Sequence, residues 1–183
     1  VPRKGSPAAQ IVLIEFSDFE CPFCGQHSQG AYAEIQQQYV SKGKIQYAFR
    51  HFPLDQLHPA ARQAAEAAAC ANEQGKFWEF HDKLFVNQHA LQLANLQEYA
   101  KSVQVDGTKF DACMTGHQMA ARVATDVSEA RRLGLSATPA FVIGELQPNQ
   151  TVRATRRIIG AHPMEVFRLA LDEQLSAGKK VGN

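Results

Sequence analysis

The stretch FSDFECPFC, Phe16 to Cys24, constrains this chain more than any other. An apolar, β-branched run, Gln10 to Phe16, leads into it and reads as a buried strand. A helical pattern follows from Cys24 to about Ser41, with Tyr32, Ile35 and Tyr39 on one side and Lys42-Gly43 at its end. Cys21 and Cys24 therefore sit where a strand turns into a helix. Cysteines three positions apart on a first helical turn have their Cβ atoms close enough for a disulfide. The free N–H groups and dipole of the helix start favour an anion at Cys21, and the thiolate is the species that attacks or leaves in exchange. Pro22 fits the first turn, where its missing N–H costs nothing. Cys24, one turn further in, is expected to be the more buried of the two.

Two other readings of the pair are weaker. Zinc needs four ligands, and neither Cys70 nor Cys113 has a near partner, while the seven histidines show no paired spacing. A purely structural bridge between Cys21 and Cys24 would close too short a loop to stabilise much.

Lys44 to Phe52 reads as a second strand, stopped by Pro53, which gives β-α-β and a right-handed parallel crossover. From His58 to about Leu133 the pattern is helical: Pro59 to Gln74, a stripe around Phe77 and Leu84, Asn95 to Val103, Thr108 to Met114, and His117 to Leu133, punctuated by glycines. Ala140 to Ile143 and Arg153 to Ile159 read as strands. A last helix runs from about Pro163 to Ala177, and Lys179 to Asn183 is expected to be a frayed tail.

At these residues the sequence resembles the DsbA-like thiol–disulfide oxidoreductases of the thioredoxin superfamily. The resemblance rests on FSDFECPFC, FRHFPL (Phe49–Leu54), QGKFWEFHDKLF (Gln74–Phe85) and LGLSATPAFVIG (Leu133–Gly144). It implies an α/β protein: a thioredoxin fold over residues 1–57 and 117–183, with an inserted all-helical domain over 58–116. It further implies a redox-active Cys21–Cys24 pair and a cis-proline at Pro139, facing that pair. A substrate chain would then pair with the Thr138 backbone as an added strand, with Pro22 and Phe23 beside it. Glu15 matches the family's buried acidic residue, six positions before the first cysteine. A buried carboxyl there would stay neutral and shuttle a proton to or from Cys24. Cys70 and Cys113 match a second, structural disulfide found in some relatives. Phe23 departs from the CPHC pattern, and Phe, unlike His, cannot stabilise the thiolate by charge; the pair is expected to be less oxidising than a CPHC enzyme.

The implied activity is a dithiol oxidase that introduces disulfides into unfolded or partly folded exported proteins, with a DsbB- or VKOR-like membrane protein as reoxidant and no cofactor or metal. A reductase or isomerase of the same fold, and a non-catalytic peptide-binding module, are the alternatives. The net charge of +1, from 19 basic and 18 acidic residues, gives no nucleic-acid footprint. No apolar run approaches the length of a membrane span. The expected setting is periplasmic or otherwise extracytoplasmic, as a monomer, with any signal or anchor upstream of Val1.

Overall fold

The computed structural model describes residues 1–180, and side chains through residue 177. Its centre is β2, Ile11–Ser17, a seven-residue strand buried along its whole length. Four of its first residues are Ile, Val, Leu and Ile, side chains that suit a pleated surface covered on both faces. Residues along a strand alternate between faces. Ile11 and Leu13 pack with Ile35, Tyr39 and Phe167 on one side, while Val12, Ile14 and Phe16 pack with Val123, Val127 and Ala130 on the other. By the same alternation Glu15 and Ser17 share the face of Leu13.

Five strands form one sheet in the order β1-β3-β2-β4-β5. β3 (Gln46–His51) runs parallel to β2, as the crossover rule predicts; β1 (Arg3–Lys4), β4 (Ala140–Leu146) and β5 (Val152–Ile159) pair antiparallel with their neighbours. β1 was not legible: two charged residues show no alternation, and only their pairing with Tyr47 and Ala48 makes them a strand. β4 runs on to Leu146 through Gly144 at a bulge. A Cβ on Gly144 would lie 2.6 Å from the Arg153 carbonyl oxygen, so the close approach of β5 requires glycine there.

The helix expected over Cys24–Ser41 is not one helix. α1 (Pro22–Gln29) ends at Gly30, whose φ of −113° and ψ of −108° leave the helical region; α2 (Ala31–Ile35) then continues into a π-helical turn, Gln36–Val40. Glycine lowers the cost of that break. Between β3 and β4 the chain is all helical: α3 (Ala61–Asn72), α4 (Phe77–Val86), α5 (Leu93–Ser102), α6 (Gly107–Thr115) and α7 (Ala120–Arg132). α3 to α6 enclose a core of Phe77, Phe80, Leu84, Leu96 and Phe110, while α7 returns to the sheet through Val123 and Val127. The Cys70 and Cys113 sulfurs are bonded, tying α3 to α6 across 43 residues of chain.

α8 (Met164–Lys180) closes the Leu13 face through Phe167 and Leu171. The tail expected from Lys179 is helical at Lys179 and Lys180; Val181, Gly182 and Asn183 lie outside the described residues. Among the described residues no helix is long and apolar enough to cross a membrane.

Candidate active site

Cys21 is the N-cap of α1, with extended backbone (φ −70°, ψ 123°), and Pro22 is the first helical residue. The two sulfurs are not bonded to each other, so the pair is in its reduced form. Cys24 is wholly buried and Cys21 is 3% exposed, so the inner cysteine is the more enclosed, as its place in the helix dictates. Phe23, between them, is 62% exposed and offers an apolar surface beside the pair.

The two thiols are driven apart in acidity. The Cys24 S–H donating to it, the Thr138 hydroxyl and the backbone N–H groups of Cys24 and Phe23 together lower the Cys21 pKa to about 5, against the opposing effect of burial. The Cys24 and Phe23 N–H groups among them are the helix-start donors that the sequence pattern points to. Burial, the bond to Cys21 and the negative charge of Cys21 push Cys24 well above the ordinary thiol range; the buried Ser17 hydroxyl and the Asp18 N–H, 3.5 Å from the sulfur, offset only part of this. Cys21 is thus held as the thiolate and Cys24 as the thiol.

The loop ahead of Cys21 is fixed by partners from three directions. Asp18, buried, accepts the Glu20 N–H at 2.8 Å, accepts the Leu54 N–H at 2.8 Å and lies 2.8 Å from His58 Nδ1. Glu20 accepts the Ala60 N–H, at 2.7 Å, at the start of α3. Gln88, after α4, donates to the carbonyls of Phe19 and Cys21, each at 2.9 Å. A Cβ on Gly25 would stand 2.0 Å from Gln88 Oε1, so glycine at this position admits the clamp. Phe19 fills the space beneath, stacked on Phe49 with centroids 5.2 Å apart and tilted against Phe85 at 5.0 Å. The helical insertion therefore holds the reactive loop.

The Thr138–Pro139 peptide is cis. The sheet ladder begins one residue later, where Ala140 pairs with Phe16 and Ile159, so Thr138 lies beyond it. The Thr138 carbonyl is 3.5 Å from Cys21 Sγ. This brings the ends of β2, α1 and β4 to one point. A cavity of about 600 Å³ is lined by residues that include Leu54, Leu57, Arg131, Leu135 and Ser136, of which Ser136 stands two residues ahead of Thr138 in the chain.

Glu15 is 1% exposed on the central strand, which rules out the solvent-facing edge position that a carboxylate would ordinarily take. Its Oε2 accepts the Tyr47 hydroxyl at 2.6 Å; Oε1 has no partner. Tyr47 also lies 3.2 Å from His27 Nε2. Burial and the Glu15 charge raise the Tyr47 pKa well above the phenol range, so it remains a hydroxyl.

Sequence reasoning missed Asp18, Gln88, Tyr47 and His27. His27 had a usable signal: it lies three residues after Cys24, on the same side of α1. Tyr47 had one too, since parallel pairing of β3 with β2 places it opposite Leu13, on the Glu15 face. Gln88 had none, because its role depends on how the insertion docks. Arg50 and His51, left without a role, contact Asp126 of α7, at 2.7 Å from the Arg50 guanidinium and 3.2 Å from the His51 N–H.

Comparison with known proteins agrees with this geometry. The family model described as Thioredoxin matches residues 2–161. Among solved structures, α-DsbA1 of Wolbachia pipientis superimposes with a TM-score of 0.80 at 24% identity, over 96% of this chain and 90% of that one. Oxidised BdbD of Bacillus subtilis gives 0.80 at 23% identity, over 96% and 92%. Among curated relatives, a Na⁺/H⁺ antiporter NhaA 3 of Salinispora tropica is 40% identical over 140 residues, which are 76% of this chain but 21% of that protein. The chain thus spans about a fifth of the length of the curated relatives it matches. A helical segment between β3 and β4 of the sheet, a cysteine pair opening α1 and the match over residues 2–161 lead to one conclusion: the chain belongs to the thioredoxin family and has its DsbA-like fold.

Proposed function

We propose that this chain is a thiol–disulfide oxidoreductase working as a dithiol oxidase on unfolded or partly folded exported proteins. The observation that carries the reading is the split between the two thiols, with Cys21 lowered to about 5 and Cys24 raised. Stabilising the Cys21 thiolate stabilises the reduced pair, which makes the disulfide form a better oxidant. A substrate thiolate attacks Cys21 Sγ, the Cys21–Cys24 bond breaks, and Cys24 leaves with the electron pair and takes a proton. A second substrate thiolate then attacks the substrate sulfur of the mixed disulfide; the substrate disulfide forms and Cys21 leaves as the thiolate. Glu15 is the proton carrier for Cys24 in this scheme.

Thr138 is the substrate-docking edge, with Pro22, Phe23 and Pro139 around it, and the Leu54–Leu57–Leu135 cavity takes an apolar side chain of the bound segment. The Cys70–Cys113 bond supports an extracytoplasmic setting, because such bonds persist where thiols are oxidised. A membrane quinone-linked oxidase of the DsbB or VKOR type restores the disulfide, and the domain acts as a monomer. The test is a Cys24→Ser variant incubated with a cysteine-bearing unfolded peptide. The adduct is expected on Cys21 with the peptide cross-linkable to position 138; an adduct whose peptide never approaches Thr138 removes the docking edge.

A second reading follows from the antiporter relatives: the chain is the redox domain of a longer membrane transport protein. In that setting the substrate thiols belong to the same polypeptide or its neighbours. Intact turnover of an added dithiol peptide separates an oxidase from a peptide-binding module, which would hold the peptide equally well with both cysteines replaced by serine.

A further inference from the structure

Beneath α1 lies a chain of buried polar groups. Glu15, Tyr47 and His27 are 1%, 0% and 2% exposed. Tyr47 stands in the middle, 2.6 Å from Glu15 Oε2 and 3.2 Å from His27 Nε2. At the two outer ends, Glu15 Oε1 and His27 Nδ1 have no hydrogen-bond partner. Leaving such atoms bare inside a core is costly, and where it occurs it calls for a functional account. The Tyr47 hydroxyl has one proton, donated to Glu15, and in the Nδ1–H tautomer of His27 the Nε2 atom is a second acceptor for it. When Glu15 is a carboxylate that proton belongs to Glu15, on the shorter contact. When Glu15 is protonated, the hydroxyl is free to turn to His27.

We propose that His27, acting through Tyr47, is a positioning residue that shares with Glu15 the proton exchanged with Cys24. This rests on the Glu15 role given above and extends it. The protons balance over the cycle. As the membrane quinone-linked oxidase takes the electron pair and the Cys21–Cys24 bond forms, the Cys24 S–H gives its proton to Glu15. Glu15 passes a proton to the Tyr47 oxygen while the Tyr47 proton moves to His27 Nε2, leaving an imidazolium and a carboxylate bridged by the phenol. As the disulfide is reduced, the electron pair arrives on Cys24 and the same proton returns by the reverse path. No external proton is consumed in either half, which suits a site this enclosed.

The surroundings decide which groups interfere. His27 faces Phe141 of β4 at 4.5 Å and Phe167 of α8 at 5.3 Å between ring centroids, and neither carries charge. Tyr32 of α2 stands at 6.3 Å, and burial together with the charges of Asp82 and Glu15 keeps it a hydroxyl. His81 of α4 lowers the proton affinity of His27, in the same direction as burial, and Glu15 opposes both. Lys4 of β1 donates to Tyr32 at 2.5 Å and feels the charge of Glu15. Cys24 is the titrating neighbour on α1 itself. Among the described residues the Glu15 carboxylate is therefore the acidic group positioned, through Tyr47, to stabilise a proton on His27.

The experiment measures the rate at which a dithiol peptide reduces the Cys21–Cys24 disulfide across pH 4–8, divided by the peptide's own thiolate fraction. Wild type, Glu15→Gln, Tyr47→Phe, His27→Phe and His27→Gln are compared. Loss of the same pH-dependent limb in Glu15→Gln, Tyr47→Phe and His27→Phe, with the rate at pH 7 down by about tenfold or more, supports the proposal. If Glu15→Gln loses the limb and the Tyr47 and His27 variants keep it, the shared proton is overturned and the role of Glu15 stands. If Glu15→Gln keeps it, the Glu15 role fails and the proposal with it. Should the variants not fold, ¹⁵N shifts of the His27 ring in the wild type are decisive. An imidazolium in the disulfide form and a neutral ring in the dithiol form are expected; the same state in both overturns the proposal.

Discussion

Replacing Cys24 by alanine removes the S–H that donates to Cys21, the largest single cause of the low Cys21 pKa. With that pKa at about 5, Cys21 is about 99% thiolate at pH 7, where an ordinary cysteine near 8.5 is about 3%. Without the Cys24 donor, the Thr138 hydroxyl and the N–H groups of Cys24 and Phe23 remain, and burial still opposes ionisation. The midpoint of thiolate formation should therefore rise by about one to two pH units in Cys24→Ala, a tenfold or greater change in the ionisation equilibrium. Cys24→Ser keeps a donor and should rise less. Thiolate absorbance in the ultraviolet and the iodoacetamide alkylation rate, both followed from pH 3 to 10 on reduced protein, report the midpoint. The wild type should titrate once across the acid range, because Cys24 is pushed well above it. A wild-type midpoint near 8 to 9, or one identical in Cys24→Ala, would refute the reasoning that the inner thiol and the helix start stabilise the outer thiolate.

The same depressed pKa sets a pH dependence of stability. A group whose folded pKa lies below its unfolded value stabilises the fold fully above the unfolded pKa and loses that contribution as pH falls through the folded one. Thermal melts should thus show the dithiol form gaining on the disulfide form between about pH 5 and pH 9, and a constant difference would contradict the assignment. Replacing Cys70 and Cys113 together by alanine opens a link spanning 43 residues, for which the chain-entropy account gives about 4 kcal/mol, read as a lower denaturant midpoint. Asp18→Ala leaves the Leu54 and Glu20 N–H groups without their carboxylate and should cost about 2–4 kcal/mol in urea unfolding, with faster alkylation of Cys24 as the loop loosens. Gly25→Ala drives Gln88 from its two carbonyl bonds; hydrogen exchange of the Phe19–Cys24 segment should accelerate, while the α5–α6 region stays protected.

Much of this architecture was legible because it rests on local chemistry. The Ile11–Phe16 run announced the central strand, the cysteine–proline pair announced a helix start, and Pro139 marked the head of β4. The break at Gly30 was not, since Tyr32, Ile35 and Tyr39 keep a helical rhythm through it; the periodicity of side chains survives a kink that the backbone records. The two-residue β1 escaped because its strand character comes from β3 alone. In the site, Cys21 and Cys24 carried signals in type and spacing and Glu15 stood out as a carboxylate inside an apolar run, while Thr138 was marked by the family resemblance alone. The clamp by Asp18, Glu20 and Gln88 did not, because each of those side chains acts on a partner far along the chain, and polar residues of this kind occur throughout any soluble surface. His27 and Tyr47 fall between these cases: each is an ordinary aromatic residue in the sequence, and strand register together with helix phase gives it a role.

The measurement that bears most directly on the central claim is the equilibrium of the Cys21–Cys24 pair with glutathione. If the Cys21 thiolate is stabilised as the geometry requires, the reduced pair is favoured, and most of the protein should remain a dithiol even where glutathione disulfide exceeds the thiol. A pair that stays in the disulfide form under excess reduced glutathione would be a reducing couple, and would contradict the oxidase account.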